Sequence, residues 1–328
     1  MDAFGRHLSL GVEEELMLLD PQTFALAPGV ERLLGVPGLK TELFSCLVET
    51  NTAVCGTAQE LLAELRRLRA LVRDAAARER LAVAAVGAHP FSRSEEQEVV
   101  QEPRYLALLA ERPSARRQLV CGLHVHIGME SFERCLRTLE AVLPWLPAVL
   151  ALSANSPYLE HAAPGVLSAR AARLLELPRA GAPPVLSDRM AWERVVESTA
   201  SGDYTKIWWD LRPHPRLGTL EVRIADQQTD VRRSAALAAL LQALCVAAPP
   251  VVRAIDRDGY ARAREQAAQG VAPARELLEL VEPAARDLGT LDLLGVLHEP
   301  PEAHRQLAVG ARAGRVAVAA DLVVRFAQ

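Results

Sequence analysis

The chain has 328 residues, half of them hydrophobic, enough for one large domain or two ordinary ones with a sizeable buried core. A net charge of −4, with arginines interleaved among acidic residues, excludes broad electrostatic attraction to nucleic acid or to an anionic membrane. Five cysteines without a CxxC exclude a disulfide framework and a cysteine-built zinc site, and fit a reducing, cytoplasmic setting. No basic-then-apolar leader precedes the first strand. The most apolar stretch, Ala235 to Val252, contains Gln242 and Pro249–Pro250 and reads as a buried helix with a stop, not a membrane span.

Taken in chain order, Leu8 to Leu19 alternates. Val12, Glu14, Leu16 and Leu18 share one parity and Glu13, Glu15, Met17 and Leu19 the other, so a strand sets Glu13 beside Glu15. Three adjacent carboxylates repel one another unless a cation compensates; metal binding and an exposed acidic strand start are both open here. Asp20 to Thr23 is a turn by composition, and residues 25–40, broken by Pro28, Gly29, Gly35, Pro37 and Gly38, form an irregular connection. Leu43 to Thr52 reads as a second strand, with Glu49 a lone carboxylate near its end, where glutamate is ordinarily solvent-exposed. Thr57-Ala-Gln-Glu60 is a capping box that opens a long amphipathic helix to about Glu79. Leu81 to Val86 is a short strand running into His89–Pro90, where His89 takes a structural role. A polar loop over 91–104 precedes a helix from Arg104 to about Glu111.

Leu119 to Met129 alternates Leu123, Val125 and Ile127 with His124 and His126. Two imidazoles on one strand face, flanked by Gly122 and Gly128 that permit close approach, point to metal or phosphate binding. Cys121 reads as a small buried residue, because nothing local lowers its thiol pKa. Helical patterns follow over 131–141 and 148–156. Residues 158–187, rich in Pro, Gly and Arg with a short helical run near Arg170, have the length of a binding loop or lid. Arg170 and Arg173 stand there as anion contacts or as ordinary surface arginines. Asp188 to Thr199 is a helix, and Tyr204 to Pro213, with Lys206, Trp208, Trp209 and Arg212, is strand-like.

Thr219 to Asp226 alternates Leu220, Val222 and Ile224 with Glu221, Arg223 and Ala225. Alone, Glu221 and Arg223 read as a solvent-facing ion pair. The recurrence of ligand-type side chains on three strands favours a site. Helices over 231–247, 259–269, 273–287 and 301–325 complete the chain, so residues 1–328 read as one α+β domain whose end, 231–328, is mainly helical.

The strand faces supply Glu13, Glu15, Glu49, His124, His126, Glu221 and Arg223. Carboxylates with one or two imidazoles suit Mg²⁺ or Mn²⁺ better than Zn²⁺, and hard cations of this kind most often hold phosphates. No GxxxxGK[ST] and no GxGxxG occur, which excludes P-loop and Rossmann enzymes; ATP would be held by metals and Arg/Lys side chains on a sheet.

Gly11-Val12-Glu13-Glu14-Glu15, Cys121 to Gly128, Thr205 to Pro213 and Thr219 to Arg223 together resemble the carboxylate–amine ligase family, the type 2 glutamate–cysteine ligase-like proteins of the glutamine synthetase superfamily. The resemblance runs in order from about residue 8 to residue 250 and implies a curved antiparallel sheet forming a funnel with helices outside. It also implies ATP- and Mg²⁺-dependent joining of a carboxylate to an amine, by default the glutamate γ-carboxylate and cysteine, and a homodimer. Position by position, it implies metal ligation by Glu13, Glu15, Glu49, His126 and Glu221 and stabilisation of the transferring phosphoryl group by Arg223. Lys206, Arg170 and His124 are implied phosphate or substrate contacts. Where the family has Asp-Thr-Gly and Ser-Tyr-Arg, this chain has Ala163-Pro164-Gly165 and Ser168-Ala169-Arg170, keeping the arginine but not the aspartate or tyrosine. Two other readings stand beside it. One is a metal-dependent amidohydrolase, which would need further histidine ligands on a parallel barrel, although His161, His214, His298 and His304 read as loop or helix residues. The other is a nucleotide- or small-molecule-binding relative without turnover.

Overall fold

Alternation places every second strand residue on one face, and the apolar parity decides which face meets the core. The computed structural model describes residues 3–200, 202–249 and 256–328. Among these, seven strands form one sheet: β1 (Leu10–Leu19), β2 (Leu39–Thr41), β3 (Leu47–Asn51), β4 (Ala82–Ala84), β5 (Leu123–Gly128), β6 (Leu211–His214) and β7 (Thr219–Val222). Their order is β2-β3-β1-β5-β7-β6, every pairing is antiparallel, and β4 extends the sheet beside the far end of β1. The edge strand β6 accommodates Pro213, which a central strand would not.

The apolar parity of β1, β5 and β7 faces one core. Val12, Leu123, Val125, Ile127, Leu220 and Val222 pack there with Leu61 and Leu65 of the helix Ala58–Arg78 and with Leu237, Leu240 and Leu241 of the helix Val231–Ala247. Burial of each such side chain contributes about 1.5–3 kcal/mol. A second core gathers Leu16, Leu18, Val48, Val72 and Val83 with Leu322 of the last helix, Glu302–Phe326. Thr57 caps Ala58–Arg78 by accepting from the Glu60 N–H at 3.2 Å, while the Glu60 carboxylate accepts from the Gly56 N–H at 2.8 Å.

Several elements differ from the sequence reading. The strand expected over 43–52 is confined to Leu47–Asn51, and the connection expected to be irregular holds β2. Tyr204 to Pro213 splits into a 3₁₀ turn, Tyr204–Lys206, and β6, because Arg212 donates to the carbonyls of Tyr204, Thr205 and Ile207 and curls that segment back. The final helix bends at Gly314, whose φ of 80° only glycine adopts without strain. The helix expected over Ala235 to Val252 runs Val231–Ala247 and is buried; Pro250, Val251 and Val252 lie outside the described residues. The described stretch long and apolar enough to cross a membrane, Phe132–Ser153, is itself mostly core.

The strand expected over 219–226 leaves regular pairing after Val222. Val125 pairs with Val222, yet Gly122 pairs with Asp226, so three steps on β5 meet four on the other strand. The extra residue is a β-bulge over 223–225, which twists the strand and re-aims its side chains. Arg223 leaves the ladder there, and its N–H donates to the carbonyl of Asp210 at 2.8 Å.

Candidate active site

On the face opposite the first core, the register lines the charged side chains into three rows. Lys40, Glu49 and Glu15 are cross-strand neighbours on β2, β3 and β1. Asn51, Glu13 and His124 form the next row, on β3, β1 and β5. Gly11, His126, Glu221 and Arg212 form the third, across β1, β5, β7 and β6. Cross-strand neighbours sit about 4.5–5.5 Å apart, so the antiparallel register alone gathers residues from four segments of the chain.

One ligand atom each from Glu13, His126 and Glu221 lie within 4.8 Å of one another. The His126 Nδ1 is fixed by the Thr219 hydroxyl at 2.9 Å. Its Nε2 is buried without a hydrogen-bond partner among the described residues and stands 3.6 Å from a Glu13 oxygen. An imidazole held through one nitrogen and open at the other, beside two carboxylates, is the donor set of a divalent-metal site. Burial opposes ionisation of Glu13, but the adjacent imidazoles of His124 and His126 outweigh it and hold the carboxyl well below the usual range.

Glu221 is buried, with Arg212 Nε at 2.6 Å and Nη2 at 3.2 Å, and a guanidinium nitrogen of Arg223 also contacts it. Burial pushes its pKa up; the two arginines and His126 more than reverse this and keep it anionic. The ion pair read from the sequence therefore exists, but inside the protein and with a second arginine that sequence reasoning missed. Arg212 lies within the recognised stretch Thr205 to Pro213 but was given no role there, and its partner became visible only when β6 paired with β7. Arg223 also stands 3.4 Å from the Nδ1 of His124, which is 3.3 Å from Glu13.

Glu15 accepts from the Gly122 N–H at 2.5 Å, and Glu49 lies 3.5 Å from the Lys40 ammonium. Glu42, which the sequence did not single out, joins them. Burial and then the charges of Glu49 and Glu15 push its carboxyl well above the usual range. Three crowded carboxylates repel one another, and the raised Glu42 pKa expresses that repulsion.

Arg170 reaches the site from the helix Ala169–Leu174. Its guanidinium lies over Gly122, where a side chain would overlap it, and donates at 3.1 Å to the carbonyls of both Arg223 and Ile224. Asp226, 3.7 Å away, accepts from Ser156 and Ser168; Ser168, Ala169 and Arg170 are all buried, whereas Ala163, Pro164 and Gly165 are exposed. Lys206 is not brought to the site: its side chain is 41% exposed and pairs with Glu111. His214, expected in a loop, ends β6 with its ring 5.4 Å from that of His126, and burial pushes its pKa down to about 4. His89 is buried in its turn, as the sequence suggested. The cysteines are all free and buried, with the Cys121 thiol pushed well up by burial.

A cavity of about 580 Å³ opens over these rows and extends to Trp208 and Trp209. A second, of about 390 Å³, lies at the end bounded by Asn51, Thr52, His126 and Thr219. Glu13, Lys40 and Arg216 border both.

The fold is that of the glutamine-synthetase-like ligases. A bifunctional glutathione synthetase from Pasteurella multocida superposes with a TM-score of 0.74 at 14% identity, over 97% of this chain and 52% of that longer one. A glutamate–cysteine ligase from Francisella tularensis, in complex with AMP, superposes with a TM-score of 0.68 at 12% identity, over 99% of this chain and 90% of that one. In sequence, a relative from Rubrobacter xylanophilus provisionally named glutamate–cysteine ligase 2-3 is 36% identical over 95% of both chains. Another from Herpetosiphon aurantiacus, provisionally named glutamate–cysteine ligase 2, is 37% identical over 73% of this chain and 65% of the relative. Residues 9–306 match glutamate–cysteine ligase family 2, and the chain belongs to that family. It is an enzyme of the carboxylate–amine ligase type. The amidohydrolase reading is overturned, since the sheet is antiparallel and forms no β/α barrel.

Proposed function

We propose that this enzyme joins the γ-carboxylate of glutamate to the amino group of cysteine or a related amino acid, with ATP as phosphoryl donor and Mg²⁺ or Mn²⁺ as cofactor. The carrying observation is the convergence of Glu13, His126 and Glu221, with the His126 Nε2 buried and unengaged. Oxygen donors with one imidazole fit a hard divalent ion. Glu13, His126 and Glu221 would hold one such ion, and Glu15, Glu49 and Glu42 another. Bound there, the ions would supply charge neutralisation for the triphosphate and the bridging oxygen.

A carboxylate resists attack by an amine because oxide is a poor leaving group. Its oxygen therefore takes the γ-phosphoryl of ATP, giving an acyl phosphate and ADP. The amine then adds to the acyl carbon, loses a proton, and phosphate departs to leave the amide. The chain's own residues orient and stabilise this sequence. Arg223, held between Glu221 and His124, provides the guanidinium for the oxygens of the transferring group. Arg212 secures Glu221 in its ionised form. Arg170 fixes the backbone on which Arg223 sits. No step requires a covalent nucleophile, and Cys121 is too deeply buried to be one.

A coupled ADP-release assay with paired amino acids and Mg²⁺ tests this reading. Wild-type enzyme should release ADP only when acid and amine are both present. Glu13→Ala and Glu221→Gln, the latter keeping a partner for the buried Arg212, should reduce that rate by at least about 10²-fold while retaining the native circular dichroism spectrum. Full activity in either folded variant rejects the metal assignment, and no amine-dependent release with any pair rejects the ligase reading.

A further inference from the structure

Glu14 stands between the two proposed ligands Glu13 and Glu15, yet it points to the other side of the sheet and is completely buried. There it accepts from Arg69 Nε at 2.9 Å and Nη2 at 2.6 Å, from Gln227 Nε2 at 2.7 Å and from the Ser234 hydroxyl at 2.9 Å. Arg69 is itself buried in the helix Ala58–Arg78. Its remaining donors reach the carbonyls of Thr229 at 2.6 Å and Gln228 at 2.7 Å. A buried ion pair is weak evidence of stability, because desolvation of both charges offsets their attraction. What this pair does have is position.

Three consecutive glutamates leave the local sequence ambiguous about which carboxylates face the cavity, and a one-residue slip would exchange the faces. The Arg69 fork engages Glu14, and thereby commits its two neighbours to the opposite face. The same fork reaches 228–229, in the run from Asp226 to Asp230. The start of that run holds Arg170 through Asp226, and Arg170 in turn holds the carbonyl of Arg223. One buried network behind the sheet thus ties the carboxylate wall of the site to its arginine wall.

We propose that Arg69 and Glu14 are positioning residues that set the spacing between Glu13 and Glu15 on one side and Arg223 on the other. The proposal rests on the metal-dependent ligase reading. Displacement of ligands by a fraction of an ångström to an ångström is costly: loss of an outer supporting contact typically lowers metal affinity or activity by about 10- to 100-fold.

The test is Mn²⁺ binding followed by electron paramagnetic resonance, alongside ADP release. Two variants are needed, because Arg69→Met alone strands a buried carboxylate and can fail to fold. The double variant Glu14→Leu/Arg69→Met replaces the pair with apolar side chains of similar volume, an exchange that often leaves stability unchanged. The expected result is a folded double variant whose Mn²⁺ dissociation constant rises about 10-fold or more and whose kcat falls with it. Arg69→Lys, which keeps charge but not the fork, should fall between it and wild type. A folded double variant with Mn²⁺ affinity and kcat within about twofold of wild type, whatever its melting temperature, overturns the proposal. Wild-type protein that binds Mn²⁺ but releases no ADP rejects the ligase reading while the shift in affinity still decides the positioning role. Wild-type protein that binds no Mn²⁺ overturns both.

Discussion

Arg223 is the residue whose surroundings most constrain its chemistry. It faces Glu221 and His124 on one side and the cavity on the other, with its backbone anchored by Asp210 and Arg170. Arg223→Lys keeps the charge but loses the planar fork, so kcat for ADP release should fall about 10²-fold with the melting temperature little changed; an unchanged kcat would remove Arg223 from the reaction. His89 makes a prediction about pH. Its Nε2 faces the Phe24 carbonyl at 3.0 Å and its Nδ1 accepts from the Ser92 N–H at 2.9 Å. Burial lowers its pKa from 6.5 to about 3. Between these values the unfolded chain binds a proton that the folded chain refuses. The neutral histidine's contribution is therefore complete above about pH 6.5 and is lost as pH falls towards 3, at about 1.4 kcal/mol per unit. Urea unfolding between pH 6.5 and 4.5 should show this slope added to that of His214, whose pKa burial also lowers, and His89→Gln should remove the His89 share. At this scale alternation displayed Glu13, Glu15, His126 and Glu221, and the family resemblance added Glu49. It could not name Arg212, Glu42 or Arg69, whose partners are defined by folding; Arg69 is 55 positions from Glu14.

Among the elements, the bulge after β7 and the glycine opposite it work as a pair. Gly122 pairs with Asp226 across the irregularity and leaves the space that the Arg170 guanidinium fills. Gly122→Ala places a methyl group in that space. The displaced atoms are the ends of the Arg170 and His124 side chains and not backbone, so the protein should fold with only a few degrees lost in melting temperature. Arg170 should nevertheless leave the Arg223 carbonyl, and turnover should drop about 10-fold or more; wild-type turnover would show that Arg170 does not support the site. β1, β5 and β7 were readable from period 2, whereas β2 lay in a stretch read as irregular. The bulge was not, since Glu221, Arg223 and Ala225 keep a perfect alternation through it. The bend at Gly314 escaped for a related reason: helical spacing continues on both sides, and one glycine within a long run does not announce a positive φ.

For the molecule as a whole, the cost of the site falls on the folded state. Carboxylates from β1, β3 and the segment before β3 crowd one face, and a divalent ion that binds only the native protein should stabilise it. At about 100 times the dissociation constant the gain is about 2.7 kcal/mol, which for a chain of this size is a rise of roughly 3–8 °C in melting temperature. Millimolar Mg²⁺ or Mn²⁺ should produce it, and Glu13→Ala should reduce it to the share of the remaining carboxylates; an equal rise in the variant would place the ion elsewhere. The α+β class and the antiparallel funnel were legible because four motifs in fixed order resemble one family. Strand order and register were not, since they arise from pairings between segments that can be more than 100 residues apart, as β1 and β5 are.

The two cavities meeting at Glu13, Lys40 and Arg216 also have a consequence for the order of events. Two adjoining cavities leave room for more than one reactant at a time, so none must depart before the next enters. Initial-velocity plots against ATP and the acid should therefore intersect instead of running parallel, and ADP should not form from ATP and enzyme alone. Parallel lines would mean that the partition between the cavities is a barrier to traffic, with one product leaving before the last reactant comes in.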